Sequence, residues 1–210
     1  MRMIEVIKYS SQEQLKPSGL VGISDAQIDD HWKLYMGYVN QSNKLNEELI
    51  ALAKDKQQAS FAYADRRRRY GFEYNGMVLH EYYFGNLRAN QADLSSGSLK
   101  KAIEKTWGSY ELWQTDFANA GKTRGIGWAI VYADLTTGQV TNHFIQEHEN
   151  GNIAGFAPVL VMDVWEHAYM VDHQAGGRAD YINAFMKNVN WSKIEERFDD
   201  ALASKMTKRF

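Results

Sequence analysis

The chain has 210 residues, 44% of them hydrophobic, with a formal net charge of −2 and no cysteine. That length suits one domain or two small halves sharing a core. The near-neutral balance gives no general pull toward nucleic acid or an anionic membrane, and the lack of thiols excludes disulfides, iron–sulfur clusters and thiolate zinc sites.

The opening "MRMIEVIKYSSQEQ" turns polar after four residues and carries no signal-peptide core. No apolar run is long enough to span a bilayer, so a soluble, cytoplasmic protein is expected. The first helix is predicted over "DAQIDDHWKLYMGYVNQSNKLNEELIALAKDK", with Ile28, Trp32, Tyr35, Val39, Leu45, Leu49 and Leu52 at helical spacing. Ser24 is its expected N-cap, and Gln27 completes a capping box. A second long helix should run from about Gln57 or earlier through the arginines at 66–69 into "GMVLHEYYFGNL", with Gly71 and Gly76 marking a bend or break. The arginine run reads as a solvated face paired with nearby acids.

"RANQADLSSGS", residues 88–98, is the candidate linker, dividing an N-terminal part, 1–94, from a C-terminal part, 95–210. "LKKAIEKTWGSYELWQTDFANAG" reads as two more helical segments. The period then changes. "GWAIVYADLTTGQVTNHFIQEH" is rich in β-branched and aromatic residues around "TTGQ" and reads as a hairpin, and "PVLVMD" as a third strand. "WEHAYMVDHQ" and "DYINAFMKNVNWSKIEERFDDALASK" return to helix. Helices followed by three strands and more helices make an α+β fold.

The chemistry lies in "DVWEHAYM", residues 163–170, which places Asp163, Glu166 and His167 directly after an apolar strand. Buried acids and imidazoles are costly unless paired or bound to a metal. His31 lies among Ile28, Trp32 and Tyr35, and His80 lies on the aromatic "LHEYYF". One histidine on an apolar face is ordinarily a hydrogen-bonded structural group. Three, with Asp163, suit a mononuclear site for iron, manganese or zinc. "GIGW", residues 125–128, lacks the remaining glycine of a dinucleotide fingerprint and precedes a strand, so that reading is rejected.

These residues carry a family resemblance. "DVWEHAY" with "RADYINAFMKNVNW" resembles the C-terminal signature of the iron/manganese superoxide dismutases, and the likeness extends through "HWKLYMGYVNQSNKLN", "LHEYYFGNL", "GSYELWQTDF" and "GIGW". The resemblance implies an N-terminal long helical hairpin packed on a C-terminal α/β half with a three-stranded antiparallel sheet. It implies one Fe or Mn ion per chain, held by His31, His80, Asp163, His167 and a solvent molecule. The implied reaction is disproportionation of superoxide to dioxygen and hydrogen peroxide, the metal alternating between +3 and +2.

The resemblance also implies a homodimer, or a tetramer built from it, with Glu166 reaching His167 of a partner across a two-fold axis. Tyr38 takes the gateway role, although it lies seven residues after His31 where the family has eight. Tyr35 stands where the family has a histidine that pairs across the interface with the Tyr169 position. The family's solvent-binding glutamine has no counterpart at Gly76. That leaves the hairpin, where His148 is the first choice and Gln146 the second. Trp128 and Trp165 are expected as a dry wall. Two competing readings are a metal-free scaffold, which should have lost ligands, and a zinc hydrolase, which lacks a general base beside this aromatic shell.

Overall fold

The computed structural model describes residues 8–204. Helix α1, Asp25–Lys54, and helix α2, Phe61–Gly85, form a long hairpin. Ser24 starts α1 as expected, its Oγ accepting from the Gln27 N–H at 3.1 Å, a cap that stabilises by about 1 kcal/mol. The box does not close. The Gln27 side chain turns into the protein, and the Ser24 N–H instead donates to Asp172 at 2.6 Å.

Helix α2 passes through Gly71 and Gly76 without the expected break. At Gly76 the reason is packing. A Cβ there would lie 2.6 Å from the Tyr38 ring, so the glycine admits an aromatic from α1. That contact outweighs a propensity cost of about 1 kcal/mol. The arginine run is a paired outer face. Arg66 donates to Glu48 at 2.9 Å, Arg68 to Asp65 at 3.2 Å and Arg69 to Glu73 at 2.7 Å, while Arg67 donates to the Tyr63 hydroxyl.

Irregular chain follows, then α3, Ser98–Trp107, and α4, Tyr110–Gly121. The sheet comprises β1, Gly127–Asp134, β2, Val140–Gln146, and β3, Phe156–Asp163, antiparallel in the order β2-β1-β3. The central strand β1 is buried at every position, which is why it reads as a continuous apolar run rather than an alternation. Its register sets Trp128 opposite Asp163, the last residue of β3.

The segment after β3 is less helical than expected. It holds one 3₁₀ turn, Glu166–Ala168, and the four-residue α5, Met170–His173. The expected long C-terminal helix is two, α6, Arg178–Lys187, and α7, Trp191–Ala203. Asn188 ends the first. Its amide donates to the Val21 and Ala184 carbonyls at 2.9 and 2.8 Å and accepts from the Val21 N–H at 2.9 Å. Lys205, expected in that helix, lies outside the described residues. The core runs from α1 and α2 through the sheet to α6 and α7. Among its wholly buried side chains are Trp113, Trp128, Phe117 and Phe185, each contributing about 1.5–3 kcal/mol or more by burial.

Candidate metal centre

Four side chains meet between the hairpin and the C-terminal half. His31 comes from α1, His80 from α2, Asp163 from the end of β3 and His167 from the 3₁₀ turn. The Asp163 Oδ2 lies 3.1 Å from His31 Nε2, 3.2 Å from His167 Nε2 and 3.6 Å from His80 Nε2. One donor atom from each residue lies within 4.8 Å of all the others. His31, His80 and Asp163 are inaccessible, while the His167 side chain keeps 19% exposure.

The backbone fixes how these groups point. His80 Nδ1–H donates to the Gly76 carbonyl, one helical turn back, at 2.6 Å. The neutral ring then carries its lone pair on Nε2, an atom buried with no hydrogen-bond partner. A lone pair and a carboxylate oxygen therefore face each other in a dry interior. That arrangement is repulsive without a cation between them. The donor set, three imidazoles and a carboxylate, suits iron or manganese. Asp163 is itself held at both ends. Its Oδ1 accepts from the Trp165 N–H at 2.8 Å and its carbonyl from the Tyr181 hydroxyl at 2.7 Å.

The expected surrounding residues are brought together. Trp165 stacks on His167 at 5.6 Å and on His148 at 4.8 Å, and Trp128 meets His80 edge-on at 5.1 Å. His148 is wholly buried. Its Nδ1 accepts from Trp128 Nε1–H at 3.1 Å, which leaves the proton on Nε2, 2.8 Å from the Tyr38 hydroxyl. Both nitrogens thus have protein partners, where the expectation turned one directly to solvent. Gln146, the second choice, is exposed on the edge of β2.

The one-residue deficit before Tyr38 does not displace it from the site. Tyr35 differs from expectation. It is wholly buried, and its hydroxyl accepts from the Gln12 N–H at 3.0 Å and donates to Glu81 at 2.9 Å. It is committed inside the chain rather than offered to a partner's Tyr169. Tyr169 is also buried, packing on Tyr181 at 5.5 Å, whereas Glu166 is exposed.

Three contributors were not read from the sequence as part of the site. Phe72 meets His148 edge-on at 4.5 Å, the Tyr181 hydroxyl holds Asp163, and Gln27 bonds the His167 carbonyl at 2.7 Å. Phe72 and Tyr181 sit in aromatic helices where any of several rings could face inward. Gln27 carried a different signal, that of a capping residue.

Burial pushes the imidazoles of His31 and His80 below their usual range and that of His148 down to about 4. Burial would raise the Asp163 carboxyl, but His167 and His31 outweigh it and hold it well below the carboxylate range. Desolvation raises the Tyr38 phenol, which stays protonated. The unfolded chain takes up protons on His148 below the ordinary value of 6.5, and the fold resists until about 4. The stability this gives the metal-free protein is complete above pH 6.5 and is lost as pH falls toward 4. Thermal melts across that window should show the decline, and His148→Gln should make it shallower. An unchanged slope would contradict the assignment.

A family model for the C-terminal domain of iron/manganese superoxide dismutases matches residues 95–197. An iron superoxide dismutase of Aquifex aeolicus is 37% identical over 202 residues, covering 94% of each chain. One from Cupriavidus metallidurans is 34% identical, covering 89% of this chain and 94% of its own. A manganese superoxide dismutase of Haloferax volcanii is 31% identical, covering 80% and 82%. With likeness extending along almost its full length and four donors gathered at one point, the chain belongs to the iron/manganese superoxide dismutase family.

Proposed function

We propose that this chain is a superoxide dismutase holding one iron or manganese ion on His31, His80, Asp163 and His167. The observation that carries the ligand set is the unpartnered His80 Nε2 facing the Asp163 carboxylate inside a buried cluster. A bound ion would supply one-electron chemistry between +3 and +2, enough to oxidise one superoxide to dioxygen and, with two protons, to reduce a second to hydrogen peroxide. Three neutral imidazoles and one carboxylate leave such a centre net positive in both states, which attracts an anion. Trp128 and Trp165 keep water from its sides. The Tyr38 Oη accepts from His148 Nε2–H, so the phenol proton is free to be donated toward the substrate. A scaffold that had lost its metal has no use for four converging donors.

Metal analysis of the purified protein, paired with a superoxide-removal assay, tests this reading. One redox-active iron or manganese per chain with activity is expected, and zinc or no metal would overturn it. Removing the imidazole in His148→Ala should keep the metal, shift the reduction potential and lower turnover about 10-fold or more, in line with lost proton-transfer assistance. Unchanged potential and turnover would remove His148 from the mechanism.

The finer assignments follow from the same reading. The chain divides functionally at 94/95, each half giving two ligands. The same reading assigns its action to the cytoplasm. The chain works as a homodimer in which the exposed Glu166 bonds His167 of the partner subunit. A carboxylate one residue from a partly exposed ligand supports this, because such a contact fixes ring orientation. Glu166→Ala should weaken both dimer and metal retention, and sedimentation of the native protein as a monomer would refute the bridge.

A further inference from the structure

Gln27 does something at the centre that the ligand set does not explain. It is wholly buried on α1, one turn before His31 and on the same face. Its Nε2 donates to the His167 carbonyl at 2.7 Å, and its Oε1 accepts from the Val171 N–H at 2.9 Å. These two backbone groups are an i, i+4 pair, the partners that would bond each other in a continuous helix. They do not do so here. The bonds on either side are made within the segment, Tyr169 N–H to Glu166 at 3.1 Å and His173 N–H to Tyr169 at 2.8 Å. The amide of Gln27 stands inside a helical hydrogen bond and holds that turn open.

No long element otherwise fixes His167. It lies in a three-residue 3₁₀ turn, followed by the four-residue α5. A second tie from the start of α1 reaches the same segment further on. Asp172 accepts from the Ser24 N–H and hydroxyl at 2.6 Å each. That tie touches no ligand residue. A primary amide is the side chain that offers one acceptor and a donor from a single planar fork. Glutamate at 27 would set an oxygen against the His167 carbonyl, and methionine would offer neither bond.

We propose that Gln27 is a positioning residue of the metal centre. By opening the 167–171 turn and bonding the His167 carbonyl, it fixes His167 relative to His31, whose ring centroid lies 4.8 Å from that of His167. This rests on the ligand reading given above. Helix α1 thereby places two ligands, one through its own side chain and one through the backbone of a segment distant in sequence.

The test uses the iron-loaded enzyme and three variants, Gln27→Met, Gln27→Glu and Asp172→Ala. Iron release to a chelator and the electron paramagnetic resonance spectrum of the ferric site are read beside the melting temperature. Both Gln27 variants should release iron about 10-fold faster, the range set by partners that orient ligands, and should alter the ferric rhombicity. Asp172→Ala should lower the melting temperature but leave the spectrum as it was. Unaltered spectra and release rates in both Gln27 variants would overturn the proposal. So would a shift in Asp172→Ala as large as theirs at equal loss of stability, since that would make the effect a general loosening. If Gln27→Met does not fold, Gln27→Glu decides alone, because it keeps the Val171 bond. His167→Ala separates this from the ligand reading. Loss of iron there with normal Gln27 variants would sink the positioning role and leave the ligands standing.

Discussion

Replacing His80 with alanine should give a folded protein that retains no metal and removes no superoxide. His80 is wholly buried on α2, and its ring is oriented by the Gly76 carbonyl. The substitution deletes one of four donors and leaves nothing nearby to replace it. Partners that merely orient a ligand carry roughly 10–100-fold in metal affinity, so loss of the ligand itself should exceed about 100-fold. The metal-free protein should fare differently. It loses a desolvated imidazole beside two other rings, 4.9 Å from His31 and 5.7 Å from His167. Relief of that desolvation offsets part of the cavity left by the ring, so its melting temperature should fall only modestly. The holoenzyme should lose the extra stability that a bound ion gives by linkage. Metal content and melting curves with and without added metal make the check. A His80→Ala protein that still carries one ion per chain would remove His80 from the ligand set.

The second large effect is on the fold. Gly127→Ala should destabilise the protein by about 3 kcal/mol or more, from backbone strain and lost sheet bonds together. Gly127 has φ +153°, and a Cβ there would meet the Ile145 carbonyl oxygen. Its own carbonyl accepts from the Val164 N–H at 3.0 Å, and the next residue, Trp128, lies opposite Asp163. The strain therefore falls where the sheet meets the metal centre, and metal retention should weaken with stability. Gly37→Ala is the counterpart of opposite sign. Gly37 lies inside α1 with open space around its Cα, so alanine there should stabilise by up to about 1 kcal/mol. Chemical denaturation of the two variants tests both signs. A Gly127→Ala midpoint close to that of the parent would show that the sheet tolerates the change.

The four donors were legible in the sequence because imidazoles and an acid among core positions stand out, and because the resemblance carried by "DVWEHAY" joined them into one ligand set. The helical hairpin and the β1–β2 turn were legible from period and turn chemistry. What escaped was decided between elements far apart in the chain. Gly76 looks like a helix breaker until Tyr38 is seen to occupy its missing side chain. Asn188 reads as helix, yet its amide is taken by Val21, 167 positions away. Gln27 fits a capping box at three-residue spacing, and the turn it opens instead is 140 positions off. The seven-residue step from His31 to Tyr38 left the gateway register open, and the choice of His148 in "IQEHENG" came from the resemblance, which did not foretell its bond to Tyr38.

The sequence separation between ligands bears on when the centre can exist during synthesis. His31 and Asp163 are 132 positions apart and meet only across the junction of the two halves. Helical hairpins form early from local contacts as a chain emerges, so His31 and His80 are in place while Asp163 and His167 are still unmade. Two imidazoles alone discriminate poorly among the divalent ions of a cell. The nascent hairpin therefore carries only half of the donor set. The full set waits for β3 and the turn behind it, so the arrangement of four donors is complete only when the last quarter of the chain is laid down.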